Sequence, residues 1–187
     1  MIYEENGFYH LYNRGCNKEL IFNEKSDYEN LINRIQESEF NKYLIIISFC
    51  LMPNHYHFLV QQKTEKPVSD WIRYIFSGYT QHFNHKYSRS GTLFEGRVKS
   101  KMITDKKYLI RSSLYIHYNP VAVGLVSKPE DWEFSNYREW IGLKRSKLCD
   151  YDLIYEHFDS DVEYKNMMKD YSDNKVFEID DFEFDEE

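Results

Sequence analysis

The sequence predicts an α+β fold with a four-stranded antiparallel sheet, and three observations support this prediction. Short segments rich in β-branched and aromatic residues are typical of strands, and longer segments carry apolar residues at helical spacing. Proline, glycine and asparagine residues separate these segments. The order is strand, helix, strand, strand, helix, strand and one additional helix, which corresponds to a ferredoxin-like sheet with helices on one face. We assign 1–145 to this domain and 146–187 to an acidic, partly disordered tail.

The first half of the chain supplies a strand, a helix and a hairpin. The predicted elements are strands over 8–14, 43–52 and 55–62 and a helix over 27–39. Gly15 ends the first strand, and Ser26 with Glu29 three residues later has the spacing of a capping box at the start of the helix. Pro53 and Asn54 predict the turn of the hairpin.

The second half of the chain adds a long helix, a strand and a final helix. The predicted elements are a helix from about Pro67, a strand over 97–103 and a helix over 106–118. Asp105 is expected to cap the final helix and Pro120 to end it. The basic residues Arg97, Lys99 and Lys101 alternate along the strand and therefore share one face, which makes them candidates for a row of phosphate contacts.

Charge is distributed unevenly along the 187 residues. The total is −7, but residues 151–187 hold three Lys and Arg against 14 Asp and Glu, a net charge of −11. Residues 71–120 hold nine basic and two acidic side chains, a net charge of +7. This basic region indicates a phosphate-binding face. Arg14, at the end of the first strand, is a further candidate for a phosphate contact. The alternative is an ordinary solvated surface.

Composition argues against membrane proteins and disulfide-rich proteins. The longest apolar stretch, 44–52, is far shorter than the roughly 20 residues of a bilayer-spanning helix. The first ten residues carry two glutamates and no basic segment, unlike a signal peptide. Three cysteines, Cys16, Cys50 and Cys149, lie too far apart in sequence to suggest a disulfide framework or a cysteine zinc site. We therefore expect a cytoplasmic protein that does not bind a membrane.

A His-x-His motif lies on the second strand of the hairpin. Side chains alternate along a strand, so His55 and His57 share a face and Tyr56 lies on the other. Two imidazoles at this spacing can bind one metal ion. The alternative is a pair of partly exposed strand histidines without a ligand.

A tyrosine and an asparagine lie four residues apart on the final helix. Tyr115 and Asn119 therefore share a helical face, where they can serve as a nucleophile and a third metal ligand. Asn119 precedes a proline, which biases its backbone away from the helical region. The alternative is that Tyr115 packs in the core and Asn119 merely ends the helix.

Three motifs in this order resemble the REP-associated tyrosine transposases, a branch of the IS200/IS605-like Y1 transposases in the HUH endonuclease superfamily. They are PNHYHFLV, GRVKS and YIHYNPVAVGLV. Two flanking segments are also similar to that family: FYHLYNRGCNKELIF and PEDWEFSNYREWIG. The resemblance runs from Gly7 to Gly142. Asn119 fits the REP-associated branch, since the broader insertion-sequence enzymes usually carry glutamine there, and the segment after Ser146 has no counterpart.

The resemblance implies a function and a set of site residues. His55 and His57 would be the HUH pair, Asn119 the third metal ligand and Tyr115 the catalytic tyrosine. The metal would be Mg²⁺ or Mn²⁺. The enzyme would nick and rejoin single-stranded DNA near hairpins of REP-like elements or insertion-sequence ends, through a covalent 5′-phosphotyrosine intermediate. A nucleoid-associated monomer or dimer is expected.

Three other functions are open. The first is a domesticated DNA-hairpin-binding protein that has lost catalysis, although His55, His57, Tyr115 and Asn119 are all present. The second is a replication initiator of the HUH type. That group carries a Tyr-x-x-Lys pattern, whereas here Tyr118 stands three residues after the candidate nucleophile. The third is a structural metal-binding domain, which the basic region makes less attractive.

Overall fold

The computed structural model describes residues 3–66, 68–148, 150–151 and 160–174. The strands are β1 (Phe8–Arg14), β2 (Leu44–Met52), β3 (His55–Gln62) and β4 (Lys99–Ile103). The helices are α1 (Lys25–Gln36), α2 (Val68–Lys86), α3 (Lys106–Ala122), α4 (Tyr137–Trp140) and α5 (Asp161–Asn174). Pro67, the predicted start of the second helix, and Cys149 lie outside the described residues.

The four strands form one sheet in the order β2-β3-β1-β4, with all neighbouring strands antiparallel. This is the predicted ferredoxin-like order. Alternation along β3 divides its side chains between two cores. Tyr56, Phe58 and Val60 pack beneath α1 and α2, and Leu59 lies in the core on the opposite face, with α3. The first two helices share a face as predicted, and α3 is the additional helix on the other.

The start of α1 differs from the prediction. Asp27, rather than Glu29, completes the capping box, because the helix begins at Lys25 and Asp27 is then its third residue. The carboxylate of Asp27 accepts hydrogen bonds from the backbone N–H groups of Asn23 and Glu24, at 2.8 and 3.1 Å. The helix ends at Gln36 instead of residue 39.

Two boundaries near the candidate site were also predicted wrongly. Helix α3 continues through Pro120 to Ala122, because a proline in the last turn removes one hydrogen bond but its buried ring still packs in the protein. Asn119 is therefore helical. Strand β4 begins at Lys99, because Gly96 adopts a left-handed conformation with φ of 66° and turns the chain before the strand. Arg97 consequently lies outside the strand.

Helix α5 falls within the predicted tail and packs against the domain. Tyr164 is completely buried and Met168 nearly so, in the same core as Leu114 and Ile116 of α3. This part of the tail therefore belongs to the packed structure. The remaining stretches of the predicted tail, 152–159 and 175–187, lie outside the described residues.

A search of the described part of the chain for a helix long and apolar enough to cross a membrane finds none.

Candidate active site

The two histidines of β3 lie together beneath α3. His57 is fully buried, His55 is partly buried, and their ring centroids are 5.2 Å apart with nearly perpendicular planes. Helix α3 places Asn119 against this pair, with 3.2 Å between the Oδ1 of Asn119 and the Nε2 of His55. Residues 64 positions apart in sequence thus meet at one point on the sheet.

Both ring nitrogens of His55 face amide oxygens. Its Nδ1 lies 2.8 Å from the Oδ1 of Asn54, and its Nε2 lies 3.2 Å from the Oδ1 of Asn119. A neutral imidazole carries only one N–H, so it can donate to one of these oxygens only. In the tautomer that donates across the shorter distance, to Asn54, the Nε2 of His55 presents its lone pair to the Oδ1 of Asn119. Two acceptor atoms that face one another repel unless a cation lies between them. This arrangement is suited to two ligands of one metal ion.

Burial keeps both histidines in the neutral form that binds metals. Burial lowers the pKa of His55 to about 4, and the positive charge of Arg14 lowers it further while the contact with Asn119 opposes the change. The pKa of His57 also lies well below its usual value, because the ring is buried beside His10 and His55. Neither ring requires deprotonation to act as a ligand near neutral pH.

The donor set fits a small divalent cation. Neighbouring ligands of an octahedral ion with bonds of about 2.1 Å lie roughly 3.0 Å apart, close to the 3.2 Å between His55 and Asn119. Within the described ranges, no cluster of three His, Cys, Asp or Glu side chains has the geometry of a metal site. The residues that could hold a cation here are His55, His57 and, through its amide oxygen, Asn119, with the remaining positions open to water or phosphate.

Tyr115 lies one helical turn before Asn119, on the face of α3 that meets the histidines. Its partly buried ring is edge-on to His57, with centroids 5.5 Å apart. Tyr118 belongs to another face of the helix, where its ring contacts Tyr171 of α5 at 5.6 Å. The structure therefore brings the sequence-predicted nucleophile, and not its neighbour, to the histidine pair.

A buried chain of hydrogen bonds holds α3 in this position. The hydroxyl of Tyr164 in α5 donates to the Nδ1 of His117 at 2.7 Å, and the Nε2–H of His117 donates to the Oδ1 of Asn136 at 2.9 Å. The amide of Asn136 in turn donates to the carbonyl of Ile47 in β2 at 2.8 Å. Burial lowers the pKa of His117 to about 4, which keeps its ring neutral. His117 is two residues from Tyr115, so this chain of hydrogen bonds anchors the part of α3 that carries Tyr115 to the sheet.

Two of the predicted phosphate contacts lie on the histidine face of the sheet. Lys99 pairs with Tyr12 and Lys101 with His10 across the β1–β4 ladder, and Tyr12 pairs with His57 across the β1–β3 ladder. Residues that pair across a ladder share a face. Arg97 is exposed in the bend before β4, so only the last two residues of the predicted row have the strand alternation.

Arg14 lies beside the histidine pair and carries an ion pair. It is opposite His55 in the β1–β3 register. Its guanidinium binds the carboxylate of Glu95 through two nitrogens, the contact between Nη2 and Oε1 measuring 3.2 Å. This contact lowers the pKa of Glu95. Any phosphate contact made by Arg14 would compete with Glu95.

Three residues near the site were not predicted as site residues from the sequence: His10, Tyr12 and His117. The two histidines were interpreted as structural or surface residues, and the buried, hydrogen-bonded His117 agrees with a structural role. His10 and Tyr12 alternate along β1 in the same way as the His-x-His motif alternates along β3. That alternation was visible in the sequence, but only the pairing of the two strands shows that both sets lie on one face. The role of His117 depends on α5, whose sequence was assigned to the tail.

Comparisons with known proteins agree with this arrangement. The family model described as "Transposase IS200 like" matches residues 4–119, more than half of the chain. A Haemophilus influenzae protein that is named as a REP-associated tyrosine transposase is 30% identical to this chain over 102 residues. The match covers 49% of this chain and 57% of that protein. The matched segment thus spans less than two thirds of the relative.

A solved structure shares the fold. It contains a REP-associated tyrosine transposase bound to a REP hairpin, and it superposes with a TM-score of 0.62 at 18% sequence identity. The match covers 80% of this chain and 94% of that one. With the family match over 4–119, these findings show that the chain belongs to the IS200-like transposase family.

Proposed function

We propose that this protein is a metal-dependent endonuclease and strand transferase that acts on single-stranded DNA beside hairpins. The observation that carries the proposal is the meeting of Tyr115 with His55, His57 and Asn119 on one face of the sheet. A nucleophile next to three neutral ligands is suited to phosphoryl transfer. The catalytic residues are proposed to lie within 1–145, with α5 of the predicted tail packed against that domain.

The metal ligands and the nucleophile have separate tasks. Bound Mg²⁺ or Mn²⁺ would polarise the scissile phosphate and offset the charge that develops on its oxygens. His55, His57 and Asn119 would fix the position of that charge relative to the helix. Tyr115 would approach the phosphate from α3, whose anchor to the sheet restricts its motion.

The proposed reaction exchanges one phosphodiester bond for another, so the energy of the broken bond is retained in the tyrosine ester. The Tyr115 oxygen attacks phosphorus, a tyrosine O–P bond forms, and the bond from phosphorus to the 3′ oxygen breaks. The tyrosine proton passes to solvent, and the leaving 3′ oxygen takes up a proton to become a 3′-OH. A second DNA 3′-OH can later attack the 5′-phosphotyrosine by the reverse steps, which joins strands without an energy source.

The DNA partner is proposed from charge and from the relative of known structure. Four basic residues would contact the phosphates of the DNA strand whose scissile bond reaches Tyr115. They are Lys99, Lys101, Arg14 and Arg97. The structural relative was solved with a REP hairpin, and a hairpin with a single-stranded flank is the substrate we propose here. The protein would act in the cytoplasm at the nucleoid, as a monomer or dimer.

The direct test is capture of the covalent intermediate. Wild-type protein with Mn²⁺ and a 5′-labelled or 3′-labelled hairpin oligonucleotide should form a protein–DNA adduct that carries only the label on the 3′ side of the nick. Tyr115→Phe should abolish the adduct and leave hairpin affinity within about twofold, because the change removes one oxygen and keeps the ring. Tyr118→Phe is the matched control, and we expect it to form the adduct.

A catalytically silent hairpin-binding protein is the second candidate. It would bind the oligonucleotide without nicking, and Tyr115→Phe would have no effect on any measured step. Adduct formation that survives Tyr115→Phe but not Tyr118→Phe would instead move the nucleophile to the other face of α3.

A further inference from the structure

His10 contacts the histidine pair from the neighbouring strand. Its Nε2 lies 3.0 Å from the Nδ1 of His57, and both rings are completely buried. The rings are nearly parallel, with centroids 5.1 Å apart and planes at 18°. Tyr12 stacks on His10 at 4.9 Å. His10 is thus held in a fixed orientation by stacking and by a strand that pairs on both sides, with β3 and with β4.

The hydrogen bond between the two rings links their tautomers. Each ring is neutral because it is buried, so each carries one N–H, and only one of the two facing nitrogens can be the donor. If the Nδ1–H of His57 donates, the Nε2 of His57 carries a lone pair. If His10 donates instead, the proton of His57 lies on Nε2, and that nitrogen cannot bind a metal.

We propose that His10 is a positioning residue that accepts the Nδ1–H of His57 and so fixes the metal-binding tautomer of that histidine. The inference rests on the proposed function of the histidine pair. It parallels the position of Asn54, whose Oδ1 lies 2.8 Å from the Nδ1 of His55 and can accept the proton of that nitrogen. Each HUH histidine would then have its own acceptor, which fixes ring rotation as well as tautomer.

Wild-type protein without metal provides the first test. Nitrogen-15 NMR of the imidazoles distinguishes a protonated Nδ1 from a protonated Nε2. We expect His57 to carry its proton on Nδ1, and His10 likewise on its Nδ1. A proton on the Nε2 of His57 would overturn the proposal, and no variant needs to fold for this result.

Two substitutions at His10 provide the second test. Gln places a carbonyl oxygen near the position of the histidine Nε2, whereas Met fills a similar volume without a comparable acceptor. By titration calorimetry with Mn²⁺ alone, His10→Met should weaken binding about 10–100-fold and His10→Gln by less than about tenfold. Saturating Mn²⁺ should then restore most of the kcat for nicking by His10→Met. His85→Gln, at an exposed position on α2, is the control.

The outcomes separate this inference from the proposed function. Wild-type Mn²⁺ affinity in His10→Met, or equal losses in the Met and Gln variants, would overturn the role of His10 and leave the proposed function standing. Failure of the wild-type protein to bind Mn²⁺ would overturn the metal-dependent function, whereas the NMR result would still decide which histidine donates.

Discussion

The hydroxyl of Tyr164 and the Nδ1 of His117 lie 2.7 Å apart in the core between α5 and α3. This contact connects a segment beyond the family match, which ends at residue 119, to the helix that carries the candidate nucleophile. Tyr164 also packs on Trp140 of α4, with ring centroids 4.4 Å apart. Helix α5 therefore supports the position of α3 through a buried hydrogen bond and a shared core.

Loss of this hydroxyl should destabilise the protein. Tyr164→Phe keeps the ring but leaves the buried Nδ1 of His117 without the donor it has now, which typically costs about 1–3 kcal/mol. We expect chemical denaturation to show a reduction of this size in the free energy of unfolding. Tyr74→Phe is the matched control, because Tyr74 is 51% exposed. Equal stability of the Tyr164 variant and the wild type would show that the hydrogen bond contributes nothing.

Local periodicity was sufficient for the parts of the site that lie within one element. The alternation of a strand predicted that His55 and His57 share a face, and the helical repeat predicted the same for Tyr115 and Asn119. Local periodicity could not predict contacts between different elements. The bond between His10 and His57 spans 47 positions, and it depends on strand register, which no single segment encodes.

The boundary errors have a similar origin in tertiary packing. Pro120 is an unfavourable residue in an isolated helix, but in α3 it lies in the last turn and is buried, so the helix extends past it. The assignment of α5 to the tail followed from net charge averaged over 37 residues. That average concealed Tyr164 and Met168, which lie four residues apart on the buried face of the helix.

The two lysines of β4 should contribute to DNA binding through charge. Lys99 and Lys101 share the face of the histidine pair. Lys99→Gln with Lys101→Gln should weaken binding of a single-stranded oligonucleotide and reduce the slope of log K against log salt by about 1.4, since each phosphate contact contributes about 0.7. Fluorescence anisotropy across a salt series measures both quantities.

A control for net charge uses α5. Lys165→Gln with Lys169→Gln removes the same charge from two exposed positions of α5, outside the sheet. We expect the salt slope of this variant to match that of the wild type. Equal reductions in both double variants would mean that the effect comes from total charge, and that β4 makes no direct phosphate contact.

The buried histidines predict how stability depends on pH. Burial lowers the pKa of His10 to about 3, with a further contribution from the charge of Lys101, and lowers that of His117 to about 4. Both titrate near 6.5 in the unfolded chain. Above pH 6.5 neither state binds these protons, so the contribution of these histidines is constant. Between pH 6.5 and 4 the unfolded chain takes up protons that the folded protein excludes, so stability falls as the pH falls.

The expected slope is up to about 1.4 kcal/mol per pH unit for each such histidine. Urea denaturation of metal-free protein at pH 8, 6.5, 5.5 and 4.5 would measure it. His117→Gln keeps an amide donor and acceptor at this position but cannot titrate. Between pH 6.5 and 4.5 its unfolding free energy should therefore change less steeply with pH than that of the wild type, by up to about 1.4 kcal/mol per pH unit. The absolute stability of the variant does not affect this comparison, because only the slope is compared. If the plots of unfolding free energy against pH are parallel for the two proteins over this range, folding does not keep His117 neutral.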